Sequence, residues 1–358
     1  MPCTGALSTD VGDGRGTSLD HMKAWQLNAT EGIESYVLGE VEEPQPGPGE
    51  VRVDLKVSGL NHLDIFVTMG LPAPKTFPHT GGADGAGVVD AVGEGTFGFE
   101  VGDEVIVDPS FSCGACGSCR TDDIVYCDSF GILGEQHSGT FAEKLVVPTI
   151  NAIRKPANLD WEIAGTFGLA SVTALRMLEK ARLRDGETVL VVGVGGGVSG
   201  AAFHLARAMG AKVFVTSTNQ AKLDMALGEG AAGSFLSTED FGLAMTEHGG
   251  ADLVIDNVGP ATLKQSMRAA KKGGRIAICG ATSGPKIELT LPVLWFKQLE
   301  LVGSTMGNHA QFQRALHYIS QGKAKSPVDR IFPFEELLAA LQHLESGAQV
   351  GKVGITHG

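Results

Sequence analysis

Four cysteines fall within residues 113–127: Cys113, Cys116, Cys119 and Cys127, spaced C-x2-C-x2-C-x7-C. Thiolates three positions apart in a tight turn can approach one ion together, and Gly114 and Gly117 permit such turns. Four sulfurs make the closed tetrahedral shell of a structural zinc. An iron–sulfur cluster is the main rival. The bacterial ferredoxin run has a short last gap and a following proline, whereas the last gap here is seven and Asp128 follows. A redox C-x-x-C pair is a further rival, but it does not need four cysteines. The pattern predicts one structural zinc ion per chain. The other two of the six cysteines, Cys3 and Cys279, stand alone, and Cys279 ends an apolar run as a small buried hydrophobe.

A second constellation lies at residues 189–200, VLVVGVGGGVSG. An apolar strand runs into glycines and then into a helix expected from about Ser199. Glycines let the backbone approach a pyrophosphate, and a helix N-terminus offers free N–H groups and a positive dipole end. Gly193, Gly195, Gly196, Gly197 and Val198, with Gly200, therefore predict a dinucleotide site; a plain tight turn is the alternative. An acidic residue about 20 positions on would bind the adenosine ribose of NAD. That place reads VTSTNQAK, with no carboxylate before Asp224. Thr216, Ser217 and Thr218 can hydrogen-bond a phosphate and Lys222 can neutralise it, which favours NADPH over NADH. Lys222 is equally readable as a solvated helix charge.

The elements that must position these groups change character along the chain. In the first half, Val51, Val53, Leu55 and Val57 alternate with polar residues as in a half-buried strand. Short apolar runs follow (GVVDAV, DEVIVD, EKLVVP), separated by Gly, Pro and Asp turns, which suits an antiparallel barrel or sandwich. From Thr188 strands alternate with helices: TVLVV, AAFHLARAMG, KVFVT, AKLDMALGEG, then DLVID, a helix over 261–271, GRIAIC and LELVGS. That rhythm implies a parallel sheet wound by crossovers. After about residue 325 the β character returns, with a short helix over 335–346 and a last strand, GKVGIT, expected to rejoin the first domain.

The chain has 358 residues, 43% hydrophobic, which allows two domains with real cores. A net charge of −13 and the lack of any basic run argue against nucleic-acid or anionic-membrane partners. No apolar stretch approaches the roughly 20 residues a membrane span needs. Residues 1–21 lack the charged start and apolar centre of a signal peptide and read as a disordered leader, with Met22 the natural start. The expected compartment is the cytoplasm.

With these pieces in place the chain resembles the medium-chain dehydrogenase/reductase superfamily, and within it the quinone-oxidoreductase-like branch of the zinc-containing alcohol dehydrogenases. The supporting stretches are EVEEPQPGPGEVRV, VGEGTFGFEVGDEVIV, the cysteine lobe, the glycine turn, ADLVIDNVG and GKVGITH. The resemblance implies an α/β chain in two parts. A GroES-like β-rich catalytic domain would span 22–152 and 326–358, and a Rossmann domain with a doubly wound parallel sheet would span 153–325. The active site would lie between them.

Members with catalytic zinc carry G-x-C-H-x-D, which here reads Gly59-Leu60-Asn61-His62-Leu63-Asp64. They also carry G-H-E-x-x-G, which here reads Gly82-Ala83-Asp84-Gly85-Ala86-Gly87. The third ligand position falls near Leu169. Asn61, Ala83 and Leu169 thus replace the ligands, and a site improvised from His62, Asp64, His79 and Asp84 would lack the usual set. The resemblance implies hydride delivery from NADPH to an acceptor already activated by conjugation: a quinone, enone, enal or enoyl thioester. Asn61 would polarise the carbonyl and Asp64 would orient its neighbours or serve as a buried structural acid. Some relatives place a tyrosine near Phe66; phenylalanine offers no acid, so water would supply the proton. By the same match, Thr173, Asn257, Val258, Gly280, Ala281, Thr282, Ser304, Thr305 and Met306 would surround the nicotinamide, and Lys352 would touch the cofactor or the cleft. The strand LELVGS lies where relatives pair subunits, which implies a homodimer or a tetramer. An alcohol or aldehyde dehydrogenase with an unusual site, and a non-catalytic NADPH-binding protein, are the alternatives.

Overall fold

The computed structural model describes residues 20–121 and 123–358. Residues 1–19 of the expected leader, Cys3 included, lie outside the described residues; His21 already opens the first strand, His21–Leu27.

Alternation at Val51, Val53, Leu55 and Val57 makes Glu50–Leu60 the spine of the first lobe, with those four side chains buried. This strand pairs antiparallel with Asp84–Val92, Lys144–Pro148 and the C-terminal strand Lys352–Thr356 in a seven-stranded sheet. Lys352–Thr356 in turn runs parallel to Val328–Pro333. The return of the chain end follows from burial: Val353 and Ile355 complete an apolar cluster with Leu60, Ile65, Phe334 and Leu341. A three-stranded sheet joins Tyr36–Glu42, His21–Leu27 and His79–Thr80 beside it. Arg52, which alternation would turn to water, is buried instead and is satisfied by Glu43 and Asp90.

The second lobe is a six-stranded parallel sheet in the order Gly233–Leu236, Lys212–Ser217, Thr188–Val191, Ala251–Asp256, Ala270–Ile278, Glu300–Gly303. Helices cover it, so central strands such as Val189-Leu190-Val191 and Leu253-Val254-Ile255 are apolar on both faces. The chain winds outward one way from Thr188–Val191 and then jumps to Ala251–Asp256 to wind the other way. Such a reversal opens a crevice at the carboxyl ends of the two strands.

Three boundaries differ from the sequence reading. The helix after the glycine turn spans Gly197–Ala208, because Ser199 is already inside it, with its hydroxyl donating to the Val192 carbonyl. The helix expected over 261–271 is Leu263–Ala269, since Ala270 has entered the sheet opposite Ala251. The expected helix over 335–346 divides into a single turn, Phe334–Glu336, and Leu337–Glu345.

The helix Trp161–Thr166 packs closely on the strand Glu50–Leu60 through small residues, Gly59 among them. A side chain on Gly59 would come within 2.6 Å of the Thr166 Cα, so only glycine lets Glu50–Leu60 dock against the helix Trp161–Thr166. That contact sets where the strand end, and hence Leu60 and Asn61, lies.

Candidate active site and zinc lobe

The four cysteines form one compact group. Their sulfurs all lie within 4.8 Å of one another, with Cys119 Sγ 3.5 Å from Cys116 Sγ and 3.8 Å from Cys113 Sγ. Gly114 makes the first turn at φ +69, a conformation side chains disfavour, and Cys116 then caps the short helix Gly117–Arg120. Backbone N–H groups of Ala115 and Cys116 point at the Cys113 sulfur and push its pKa down to about 6. Four sulfurs this close together, the only such group of ligand side chains among the described residues, fit a structural zinc. The lobe is pinned to the helix Gly168–Lys180 by Arg176 Nη2, which donates to Asp123 Oδ1 at 2.9 Å.

Asn61 stands at the end of Glu50–Leu60 and caps the helix His62–Thr68; its backbone N–H donates to Asp64 Oδ2 at 2.7 Å. Its side chain is held on both sides. Nδ2 donates to Asp84 Oδ2 at 3.0 Å, and Oδ1 accepts from Lys352 Nζ at 2.5 Å. An ammonium only donates and a carboxylate only accepts, so the amide has one possible orientation. Lys352 Nζ also donates to the Leu60 carbonyl at 2.9 Å and to Asp84 Oδ2 at 3.2 Å. Asp84 Oδ1 accepts from the Leu169 N–H at 2.6 Å. Asn61, Asp84 and Lys352 are all buried.

Of the positions that the resemblance matches to metal ligands, Asn61 and Leu169 both touch Asp84 in this constellation. Asn61 offers an amide oxygen already used by Lys352, Ala83 offers nothing, and Leu169 offers only a backbone N–H. A divalent metal does not fit such a set: Asp84 is the one carboxylate hydrogen-bonded within it, no thiolate or imidazole joins it, and the carboxylate already pairs with the Lys352 ammonium. Among the described residues, only the cysteine lobe brings together three or more ligand side chains. His62, Asp64, His79 and Asp84 do not converge, and His79 Nε2 lies 2.9 Å from the Gly134 carbonyl.

Asp64 is buried beneath Asn61. Burial pushes its pKa up to about 7, against the backbone N–H of Asn61 and with help from the Asp84 charge. Its Oδ1 and the hydroxyl of Tyr36 are buried without partners among the described residues. Burial, then the Asp64 charge, raises the Tyr36 pKa well above the phenol range.

The expected nucleotide residues collect at the carboxyl ends of the parallel strands. Gly193, Gly195, Gly196, Gly197 and Val198 follow Thr188–Val191, and Ser217 ends the next strand with Thr218 exposed beyond it. The Gly193 N–H donates to Thr216 Oγ1, which ties the turn to that strand. Asn257 and Val258 follow Ala251–Asp256, where Asp256 accepts from Val258, Gly259, Thr262 and Ser266 and so shapes the loop. Ser199 Oγ lies 3.0 Å from Asn257 Oδ1. Gly280, Ala281 and Thr282 follow Ala270–Ile278, and Ser304, Thr305 and Met306 follow Glu300–Gly303. Thr173 Oγ1 contacts the Met306 sulfur. Two residues behave differently. Lys222 crosses Gly195 and donates to the Gly347 carbonyl at 2.8 Å, so its amine rests on the first lobe. Lys352 lines the same cavity as the glycine turn, yet its amine ends on Asn61. The partnership of Lys352 with Asp84 is not readable from spacing; its one signal was that Asp84 stands where the family motif carries an acid.

The comparisons agree with this architecture. Residues 47–157 match the alcohol dehydrogenase GroES-like domain, and residues 197–321 match the zinc-binding dehydrogenase model. A zinc-type alcohol dehydrogenase-like protein of Schizosaccharomyces pombe is 34% identical over 88% of this chain and 93% of its own length. An acryloyl-coenzyme A reductase of Metallosphaera sedula is 29% identical over 90% of this chain and 97% of its own. The crystal structure of an NAD-dependent alcohol dehydrogenase superposes with a TM-score of 0.91 at 39% identity, covering 94% of this chain and 100% of that one. No helix among the described residues is long and apolar enough to cross a membrane.

Proposed function

The chain belongs to the medium-chain dehydrogenase/reductase superfamily and is an NAD(P)H-dependent oxidoreductase, and on that premise we propose that it delivers hydride from NADPH to a conjugated carbonyl acceptor without a catalytic metal. One observation carries this reading: the buried Lys352 ammonium sits among Asn61, Asp84 and the Leu60 carbonyl, where a Lewis acid would otherwise be held. Oxidation of a simple alcohol needs a group that stabilises an alkoxide. A conjugated acceptor spreads the developing charge and asks only for hydrogen-bond donors. Quinones, enones, enals and enoyl thioesters share that property, and the similarity to an acryloyl-coenzyme A reductase supports the thioester.

NADPH, bound, supplies the hydride. The glycine turn offers N–H groups to the pyrophosphate, with the N-terminus of Gly197–Ala208 behind it. The strand end at Ser217 and Thr218 presents hydroxyls and no carboxylate, which favours a ribose phosphate over a free ribose. The cysteine lobe would hold one zinc ion as a brace, remote from the acceptor. Exposed Leu291, Trp295 and Phe296 beside the open sheet edge Glu300–Gly303 support a homodimer through that edge.

An alcohol dehydrogenase is the second reading, and the 39% identical NAD-dependent alcohol dehydrogenase supports it. One experiment separates the two. NADPH oxidation is followed across quinones, enals, enones and enoyl-CoA esters, alcohol oxidation is followed with NAD and NADP, and zinc is counted in the same preparation. The first reading expects an acceptor from the panel and one zinc per chain. Two zinc ions per chain with turnover of simple alcohols overturns it.

A further inference from the structure

We infer that Lys352 is the resident cation of the centre, a positioning residue that holds and polarises the Asn61 amide toward the oxygen of the acceptor; this rests on the reading of the site as a metal-free reductase. The bland account is a buried ion pair that staples the last strand to Asp84. The distances argue otherwise. The ammonium makes its shortest contact, 2.5 Å, with the neutral amide oxygen, and its longest, 3.2 Å, with the carboxylate. A staple would favour the opposite charge. All three ammonium hydrogens are used, by Leu60, Asn61 and Asp84, so the lysine acts through a neighbour.

Asn61 is suited to pass the charge on. A hydrogen bond from a cation to Oδ1 draws electrons from the amide and strengthens its N–H donors. Among the described residues only Asp84 accepts from Nδ2, which leaves one of its two hydrogens over. The amide has no freedom to rotate, because Lys352 holds one end, Asp84 the other and Asp64 the backbone.

Lys352 also ties this amide to the nucleotide turn. The N–H of Gly351 donates to the Gly195 carbonyl at 3.3 Å, and the lysine stem passes Gly197 closely enough that a Cβ there would lie 3.5 Å from Lys352 Cδ. The cation is thus placed from the cofactor side and read out on the acceptor side. In the step, hydride adds to the β-carbon and the C=C electron pair shifts toward the carbonyl. The oxygen takes the negative charge against the Asn61 N–H, and the α-carbon takes a proton from water. The acceptor gains one hydride, which carries both electrons, and one proton, leaving hydroxide from the water and NADP+ from the cofactor.

The test uses 4-nitrophenol with NADP+ and full-length protein. Wild type should bind the phenolate in preference to the phenol, read as its visible absorption at a pH where the free compound is mostly neutral. Asp84→Asn combined with Lys352→Met replaces the pair by neutral groups of similar shape. At saturating NADP+ it should lose the phenolate preference by about tenfold or more. Asn61→Leu keeps the ion pair, and hence the fold, and should lose the preference to the same degree. Phenolate binding unchanged in either variant, or absent in wild type, overturns the inference. If the preference depends on Lys352 but wild type reduces no acceptor in the panel, the electrostatic role stands and the reductase reading falls.

Discussion

The Lys352 ammonium donates to the side-chain oxygen of Asn61 at 2.5 Å across 291 positions of sequence. The bond joins the last strand of the chain to the end of an early one, and it does so inside the cleft between the lobes. Much of what the protein should do under perturbation follows from it.

Lys352→Met alone leaves Asp84 buried with its counter-charge gone. Breaking a buried pair from one side costs about 3–5 kcal/mol, whereas replacing both members with neutral groups costs far less. The urea midpoint should therefore fall steeply in Lys352→Met and recover in Asp84→Asn/Lys352→Met. A single variant as stable as wild type would show that the pair is solvated.

Asp64 titrates at about 7 in the fold, raised chiefly by burial, against about 4 in an unfolded chain. Between those values the folded state keeps a proton that the unfolded state releases. Stability should then fall as pH rises from about 4 to about 7, by roughly 1 kcal/mol per pH unit, and level off on both sides. Asp64→Asn removes the titration. Its advantage over wild type should appear in denaturant unfolding at pH 8 and vanish near pH 4.

Removal of zinc from the cysteine lobe should lower the melting temperature before it lowers the intrinsic rate. The four sulfurs close on one another and offer no open coordination position. Metal analysis should give one zinc per chain, and Cys116→Ser should give none. Lost turnover in chelated protein that is still fully folded would place the ion in the chemistry.

Thr218 stands exposed at the strand end where an acid would select NAD. Thr218→Glu should move the preference toward NADH by repelling the ribose phosphate. Lys222→Ala should weaken NADPH by about tenfold, or about 1.4 kcal/mol, and leave NADH nearly unchanged. Fluorescence titration of both cofactors checks each variant. Equal effects on NADH and NADPH would mean that Lys222 only bridges to Gly347.

Local features were legible from the sequence. The cysteine lobe and the glycine turn are each confined to a short stretch of chain, so their geometry is largely implied by their spacing. The alternation of strands and helices after Thr188 was legible because burial on both sheet faces demands unbroken apolar runs such as Leu253-Val254-Ile255. Helix ends were less so. Ala270 leaves its helix because Ala251, far behind it, offers a sheet partner.

The residue types at Asn61, Ala83 and Leu169 already depart from the ligand set that the resemblance would bring, since ligand chemistry is a property of the side chain alone. Only the tertiary structure decided which side chain meets Asn61 there. Lys352 meets Asn61 because Lys352–Thr356 pairs with Glu50–Leu60, with Val353 opposite Leu60. That register is set by burial of Val353 and Ile355 in a shared core. Spacing along the chain carries no trace of a contact made by packing, so the cation at the centre appears only when the strands come together.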